Sequence, residues 1–235
     1  MSDYNLKKRK DYVLKKDDKD KEDKEEEKSK KSKSDKWNGN TDYPSVDVYK
    51  NHIYYYCGVT KKTCLKLNNE LRKIEYNITN DGKNMINKDK YIYLHINSNG
   101  GSIFAALSTI DTILALKVPV ISIIEGAAAS AATLISVVCD YRIIYPNSYM
   151  LIHQLSSSTW GKMDELEDEM KNLKMLMDKI KSLYKTYTKL KEKELNDILK
   201  HDIWWDSKKC LKSGLVDEIY KNENYYEFDR KKINL

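Results

Sequence analysis

Short apolar segments alternate with segments of helical period through the middle of this chain, and that alternation constrains the fold more than any other feature. Ile53 to Cys57 reads as a strand that stops at Gly58. Leu65, Leu67, Leu71 and Ile74 follow at spacings that predict one buried helix face. Residues 78–90, "ITNDGKNMINKDK", read as a polar loop with a DG turn. The pattern then recurs. Strand "YIYLHI" (91–96) runs into the Gly-rich turn "NSNGGS" (97–102). Ile103, Leu107, Ile110 and Leu114 then line one helix face, and that helix stops before Pro119. Strand 118–124, a small-residue turn and helix 128–138 come next. "YRIIY" and "YMLIH" read as two strands joined at Pro146-Asn147, and "SGLVDEIY" as a turn and a final strand. Strands alternating with helices predict an α/β protein with much parallel pairing.

Charge sets the limits of the folded part. Hydrophobic residues make up 40% of the 235 and charged residues 33%, but the charge is uneven. Residues 3–36 are almost entirely Lys, Asp, Glu and Ser. Such a stretch buries too little apolar surface to offset its ordering entropy, so residues 1–44 are expected to be a disordered tail. The folded domain is expected over 45–225, and 226–235 as a short C-terminal tail.

The net charge of +6 does not imply a polyanion partner, because Lys alternates with Asp and Glu and no sustained positive face results. No nucleic-acid partner is expected. The first residues carry no apolar run of a secretory signal, and their acids argue against a transit peptide. No stretch approaches 18 apolar residues without a charge, so no membrane span is expected. Cys57, Cys64, Cys139 and Cys210 are scattered and form no CxxC pair. They read as reduced thiols of a reducing compartment, the cytoplasm. His52, His95, His153 and His201 stand at no zinc-ligand spacing to them, so neither a metal nor another cofactor is expected.

A long helix is expected from about Lys162 to Leu190. Met163, Leu166, Met170, Leu173, Met177, Ile180, Tyr184 and Tyr187 recur at steps of three and four, a heptad-like seam. Leu176, Leu183 and Leu190 add a neighbouring stripe. That face is wider than a surface helix needs, which leaves two readings: packing on the chain's own core, or packing on a partner subunit as well.

One hydroxyl, Ser130, stands in "GAAASAATL" where a strand would turn into a helix. Small residues there let two backbones pack closely; they also suit a nucleophile held on a sharp turn. An attacking serine needs a base, a group that orients the base, and N–H donors for the oxyanion. His153 ends the strand "YMLIH", and Asp202 lies in "KHDIWWDS" with Asp206 as a competing neighbour. The Gly100-Gly101 turn follows a strand. Taken singly, each has a structural reading: a packed imidazole, a solvated carboxylate, a turn.

Jointly, "YLHINSNGGSIFAALSTIDTI", "GAAASAATL", "YMLIHQ" and "SGLVDEI" resemble the proteolytic subunit of the Clp protease family over residues 48–220, with no apparent insertion or deletion from Gly101 to Ser130 or from His153 to Asp202. The resemblance implies a ClpP/crotonase-like spiral of ββα units with a protruding handle helix. It implies Ser130 as nucleophile, His153 as general base, Asp202 as its orienting partner, and Gly101 and Ala131 as backbone oxyanion donors, with Asp206 outside the set. It also implies an ATP-dependent serine endopeptidase that cleaves unfolded polypeptides inside stacked heptameric rings, served by an AAA+ unfoldase. An inactive ring subunit and a crotonase-like acyl-CoA enzyme are the alternatives. The chain departs from the family pattern at Asn99 (usually Pro), at Ala132 (usually Gly), and in "LSSSTWGK" after Gln154, where the family has a Pro and a Gly-rich strand. The segment before Tyr49 shows no match to the family's axial loop.

Overall fold

The computed structural model describes residues 46–80 and 90–221. The expected tails, both domain limits and most of the 78–90 loop lie outside the described residues. Among the described residues, eight strands form one mixed sheet. They are β1 (Val46–Tyr49), β2 (His52–Tyr55), β3 (Ile92–Ser98), β4 (Val120–Ala129), β5 (Tyr141–Ile144), β6 (Tyr149–Leu151), β7 (Trp205–Asp206) and β8 (Glu218–Ile219). The main path runs β1-β2-β3-β4-β5-β8. Every neighbour on it pairs parallel except β1 with β2. The short β6 pairs parallel with the far end of β4 and antiparallel with β7. The alternation therefore produces the expected parallel α/β sheet.

Six helices lie among the described residues: α1 (Lys61–Asn80), α2 (Ile103–Ala115), α3 (Ala131–Val137), α4 (Met163–Tyr187), α5 (Glu192–Ile198) and α6 (Ser207–Ser213). The first three are crossovers between parallel strands. Their buried faces differ from the expected ones by part of a turn. On α1, Cys64, Leu67, Leu71 and Ile74 are buried, whereas Leu65 is exposed. Two residues apart on a helix is about 200°, so Leu65 and Leu67 cannot share one face. On α2 the buried stripe is Ala106, Ile110 and Ile113; Ile103 and Leu107 flank it, and Leu114 is exposed. Small Ala105 and Ala106 let α2 lie close, and a reading weighted to large apolar residues passes over them.

The two faces of the sheet differ. One packs Ile92, Leu94, Ile96, Val120 and Ile124 against the helices in a continuous apolar core. The other carries Ile121, Ile123 and Ile143 with Tyr93, Tyr141, Tyr145 and Tyr220. It also holds a polar chain. His52 Nδ1 lies 2.9 Å from His95 Nε2, His95 Nδ1 lies 2.8 Å from Glu125 Oε1, and Tyr56 donates to Glu125 Oε2. Burial, with His95 beside it, pushes the His52 imidazole down to about 4. Burial pushes Glu125 up, but hydrogen bonds from His95 and Tyr56 outweigh it, and its carboxyl sits below the usual range.

Candidate active site

The site is built where β4 outlasts its neighbours. The strand does not end at Ile124, as the apolar run suggested, but continues through Glu125 to Ala129. Its second half pairs Ala127–Ala129 with Tyr149–Leu151 of β6, and Ala128 with Ser98 of β3. Alanines suit this stretch because strands and helix N-terminus converge on it. Helix α3 then starts at Ala131 rather than 128.

Between strand and helix stands Ser130, with φ 54° and ψ −126°, a backbone that L-residues rarely adopt. Such a residue costs on the order of 1–3 kcal/mol and persists only where its surroundings hold it. Here the holding groups are identifiable. Ser130 N–H donates to the Leu151 carbonyl at 2.8 Å. The Ser130 carbonyl accepts from Thr133 N–H at 3.0 Å and from Thr133 Oγ1 at 2.6 Å. The Ser130 side chain makes no cap hydrogen bond to the helix, which leaves its hydroxyl free for other work.

Gly100 and Gly101 lie against this turn, and the space explains both glycines. A Cβ on Gly100 would stand 2.5 Å from the Ala129 carbonyl oxygen, 2.8 Å from Ser130 Cβ and 3.1 Å from Ala131 N. One on Gly101 would stand 2.3 Å from the Val59 carbonyl oxygen. Val59 clamps the turn by donating to the Gly100 carbonyl and accepting from Ser102 N–H, both at 2.8 Å. Among the described residues these backbone bonds leave out the amides of Gly101 and Ala131. Those two N–H groups are the donors expected from sequence.

His153 reaches the same corner from β6. Ala129 pairs with Leu151, so the two chains leave the sheet side by side, Ser130 one residue on and His153 two residues on. His153 Nδ1 faces Asp202 Oδ1 at 3.2 Å. Two clamps hold this pair: Gln154 N–H donates to the Leu199 carbonyl at 2.9 Å, and Met150 pairs with Trp205. Asp206, the competing carboxylate, is engaged elsewhere. It is the N-cap of α6 and accepts from Lys209 N–H at 2.8 Å. The structure thus joins His153 to Asp202 and seats Ser130 against the glycine turn. No hydrogen bond links Ser130 to His153 among the described residues.

Cys57, Cys139 and Cys210 are poor competitors as nucleophiles. Burial pushes the Cys57 thiol up to about 11 and Cys210 to about 12, and raises Cys139 further, so these sulfurs stay protonated. All four thiols are unpaired. Residues that sequence reasoning passed over are Val59, Leu151 and Thr133. The first two act through backbone atoms, which leave no side-chain signature.

Residues 83–223, more than half of the chain, match the family model described as Clp protease. The chain belongs to the Clp protease family. Among curated relatives, "ATP-dependent Clp protease proteolytic subunit" of Deinococcus radiodurans is 31% identical over 135 residues, which is 57% of this chain and 66% of that protein. "ATP-dependent Clp protease proteolytic subunit 2" of Treponema denticola is 36% identical over 135 residues, 57% of this chain and 68% of that protein. The Streptococcus mutans subunit is 34% identical over 137 residues, 57% of this chain and 70% of that protein. The matches therefore span about two thirds of each relative. Sheet, crossovers and the projecting α4 together form a ClpP-like α/β fold, and the chain is a Clp protease-like serine peptidase by family. No described helix is long and apolar enough to cross a membrane.

Proposed function

We propose that this chain is an active serine endopeptidase, with Ser130 as nucleophile, His153 as general base, Asp202 as its orienting carboxylate, and the amides of Gly101 and Ala131 as oxyanion donors. The observation that carries this reading is His153 Nδ1 facing Asp202 at 3.2 Å, at the strand end beside Ser130. A carboxylate facing Nδ1 favours the tautomer with hydrogen on Nδ1, and Nε2 is then the nitrogen left to take a proton. Ser130 Oγ attacks the scissile carbonyl carbon while its proton passes to Nε2. The carbonyl oxygen, now negative, is stabilised by the two amides. His153 then returns the proton to the leaving amine as the C–N bond breaks, and water repeats the sequence to release the acyl group.

The proposed peptidase domain is 45–225. Its substrates are unfolded polypeptides, cleaved in a chamber formed by two stacked heptameric rings and fed by an AAA+ unfoldase. The exposed outer half of α4 supports the stacked-ring reading: Met163 is 70%, Met170 53% and Met175 65% exposed. Met163 and Met170, seven residues apart, lie on one side of the helix, and apolar side chains so exposed call for cover. The unpaired thiols support a reducing compartment such as the cytoplasm.

A fluorophosphonate probe tests the nucleophile. Wild-type protein should be labelled at Ser130, and Ser130→Ala should lose both labelling and peptide hydrolysis, by roughly 10⁵–10⁶-fold in kcat, with its fold intact. Equal labelling of the variant sinks the assignment.

A further inference from the structure

The carbonyl of Ser130 is the end of a buried hydrogen-bond chain that begins on α4. Thr133 Oγ1 donates to that carbonyl at 2.6 Å. Tyr184 Oη lies 2.6 Å from the same Thr133 oxygen. A threonine hydroxyl has one hydrogen. It is committed to Ser130, so the phenol must be the donor to Thr133. The order is Tyr184 O–H to Thr133 O–H to Ser130 C=O. Thr133 is fully buried and Tyr184 is 1% exposed, so water cannot replace either bond.

This chain connects two structures of unlike character. At one end is the strained Ser130 turn. At the other is the inner end of α4, where Ile180, Leu183 and Tyr184 are buried and Arg142 Nη1 donates to the Tyr187 carbonyl at 2.6 Å. An apolar side chain would fill the Tyr184 site equally well. A phenol whose one hydrogen is spent on Thr133 does more than fill space.

We propose that Tyr184 and Thr133 are positioning residues, which hold the Ser130 turn in its strained conformation by tying its carbonyl to α4. The proposal rests on Ser130 being the nucleophile only for its effect on rate. Burial keeps the Tyr184 phenol well above its ordinary range, so it remains a donor across the working pH range.

The test compares Tyr184→Phe, Thr133→Val, Thr133→Ser and the Tyr184→Phe/Thr133→Val pair with wild type. Three quantities are read: fluorophosphonate labelling rate at Ser130, kcat and KM on a short peptide, and amide exchange of the 128–136 segment against that of α2. Tyr184→Phe and Thr133→Val should each lower labelling and kcat roughly three- to tenfold with KM unchanged. Thr133→Ser should keep most of the activity, and the double variant should be no slower than the worse single one. Exchange should quicken at 128–136 and not in α2. Tyr184→Phe that melts earlier yet keeps wild-type labelling, kcat and exchange would make Tyr184 a core filler and overturn the proposal. Should wild-type protein resist labelling at Ser130, the nucleophile reading fails by itself. The exchange comparison then decides the positioning role alone: quickened exchange upholds it and unchanged exchange overturns it.

Discussion

The two sides of the proposed catalytic set are held very differently. Ser130 emerges from a packed corner, with Ala129 and Ala131 buried and its backbone bonded to Leu151 and Thr133. Asp202 lies on a short segment between α5 and β7, and its side chain is 77% exposed, against 23% for His153. The proposed nucleophile is thus positioned by the fold of one chain. The carboxylate is positioned by two clamps at a distance, Gln154 to Leu199 and Met150 to Trp205. The difference teaches that strain needs dense support, whereas a charged group that only orients a base can stand in solvent. It also marks the Asp202 side as the one an assembled partner could tighten.

Removing the carboxylate breaks the comparison most sharply. Asp202→Asn should lower kcat by roughly 10³–10⁴-fold, because an amide no longer selects the tautomer with Nδ1–H. Initial rates on a short peptide check this. A larger loss from Asp206→Asn would show the orienting role misassigned.

Assembly comes next. The outer half of α4 exposes Met170, while Met177 is partly covered. Burying such a side chain contributes about 1.5–3 kcal/mol per subunit, repeated around a ring. Met170→Asp should halve the sedimenting species, and peptide hydrolysis should fall with it if assembly steadies Asp202. A wild-type monomer with full activity refutes both the handle and the chamber.

The His52 chain offers a smaller, pH-dependent effect on the opposite face of the sheet. Burial lowers the folded imidazole from 6.5 to about 4. The unfolded state therefore binds the proton first, so the stability contributed by neutral His52 is complete above about pH 6.5 and is lost as pH falls towards 4. For a half-buried ring the effect is about 1 kcal/mol after solvent screening. Urea unfolding at pH 7 and pH 5 should show a shallower pH dependence in His52→Gln. An unchanged dependence places the titrating group elsewhere.

The smallest effect belongs to the cap of α6. Asp206→Ala should cost about 0.5–1 kcal/mol of stability while kcat per folded molecule stays unchanged. A marked fall in kcat would show that α6 steadies Asp202, and the contrast between the two sides would narrow.

Much of this was legible in the residues. Alternating strand and helix periods dictated a parallel α/β sheet, since short apolar runs separated by crossovers leave few other ways to bury both faces. Ser130, His153, Asp202 and Gly100-Gly101 were nameable because family motifs carry them as side chains or as obligatory glycines. Boundaries were less legible. In β1, VDVY, an aspartate interrupts the valines and leaves no apolar run to read, and β4 ran on to Ala129 because β6 and Ser98 supply its hydrogen bonds. Neither partner is visible from alanines alone. Leu65 and Leu114 match the residue types of a core yet face solvent, because the direction of a helix face depends on what lies beneath it.

Without the family resemblance the residues left two carboxylates open, and the tertiary structure shows which of them faces His153. Asp202 and Asp206 are the same side chain four residues apart, and only the cap on Lys209 and the approach to His153 separate them. It also decided how Ser130 is held. The Ser130 N–H donates to the Leu151 carbonyl, and the Tyr184 phenol on α4 reaches the Ser130 carbonyl through Thr133; Leu151 and Tyr184 are both distant in sequence. Sequence specifies which groups can bond. Which ones meet depends on chain ends brought together by burial, and that geometry exists only once the sheet has formed.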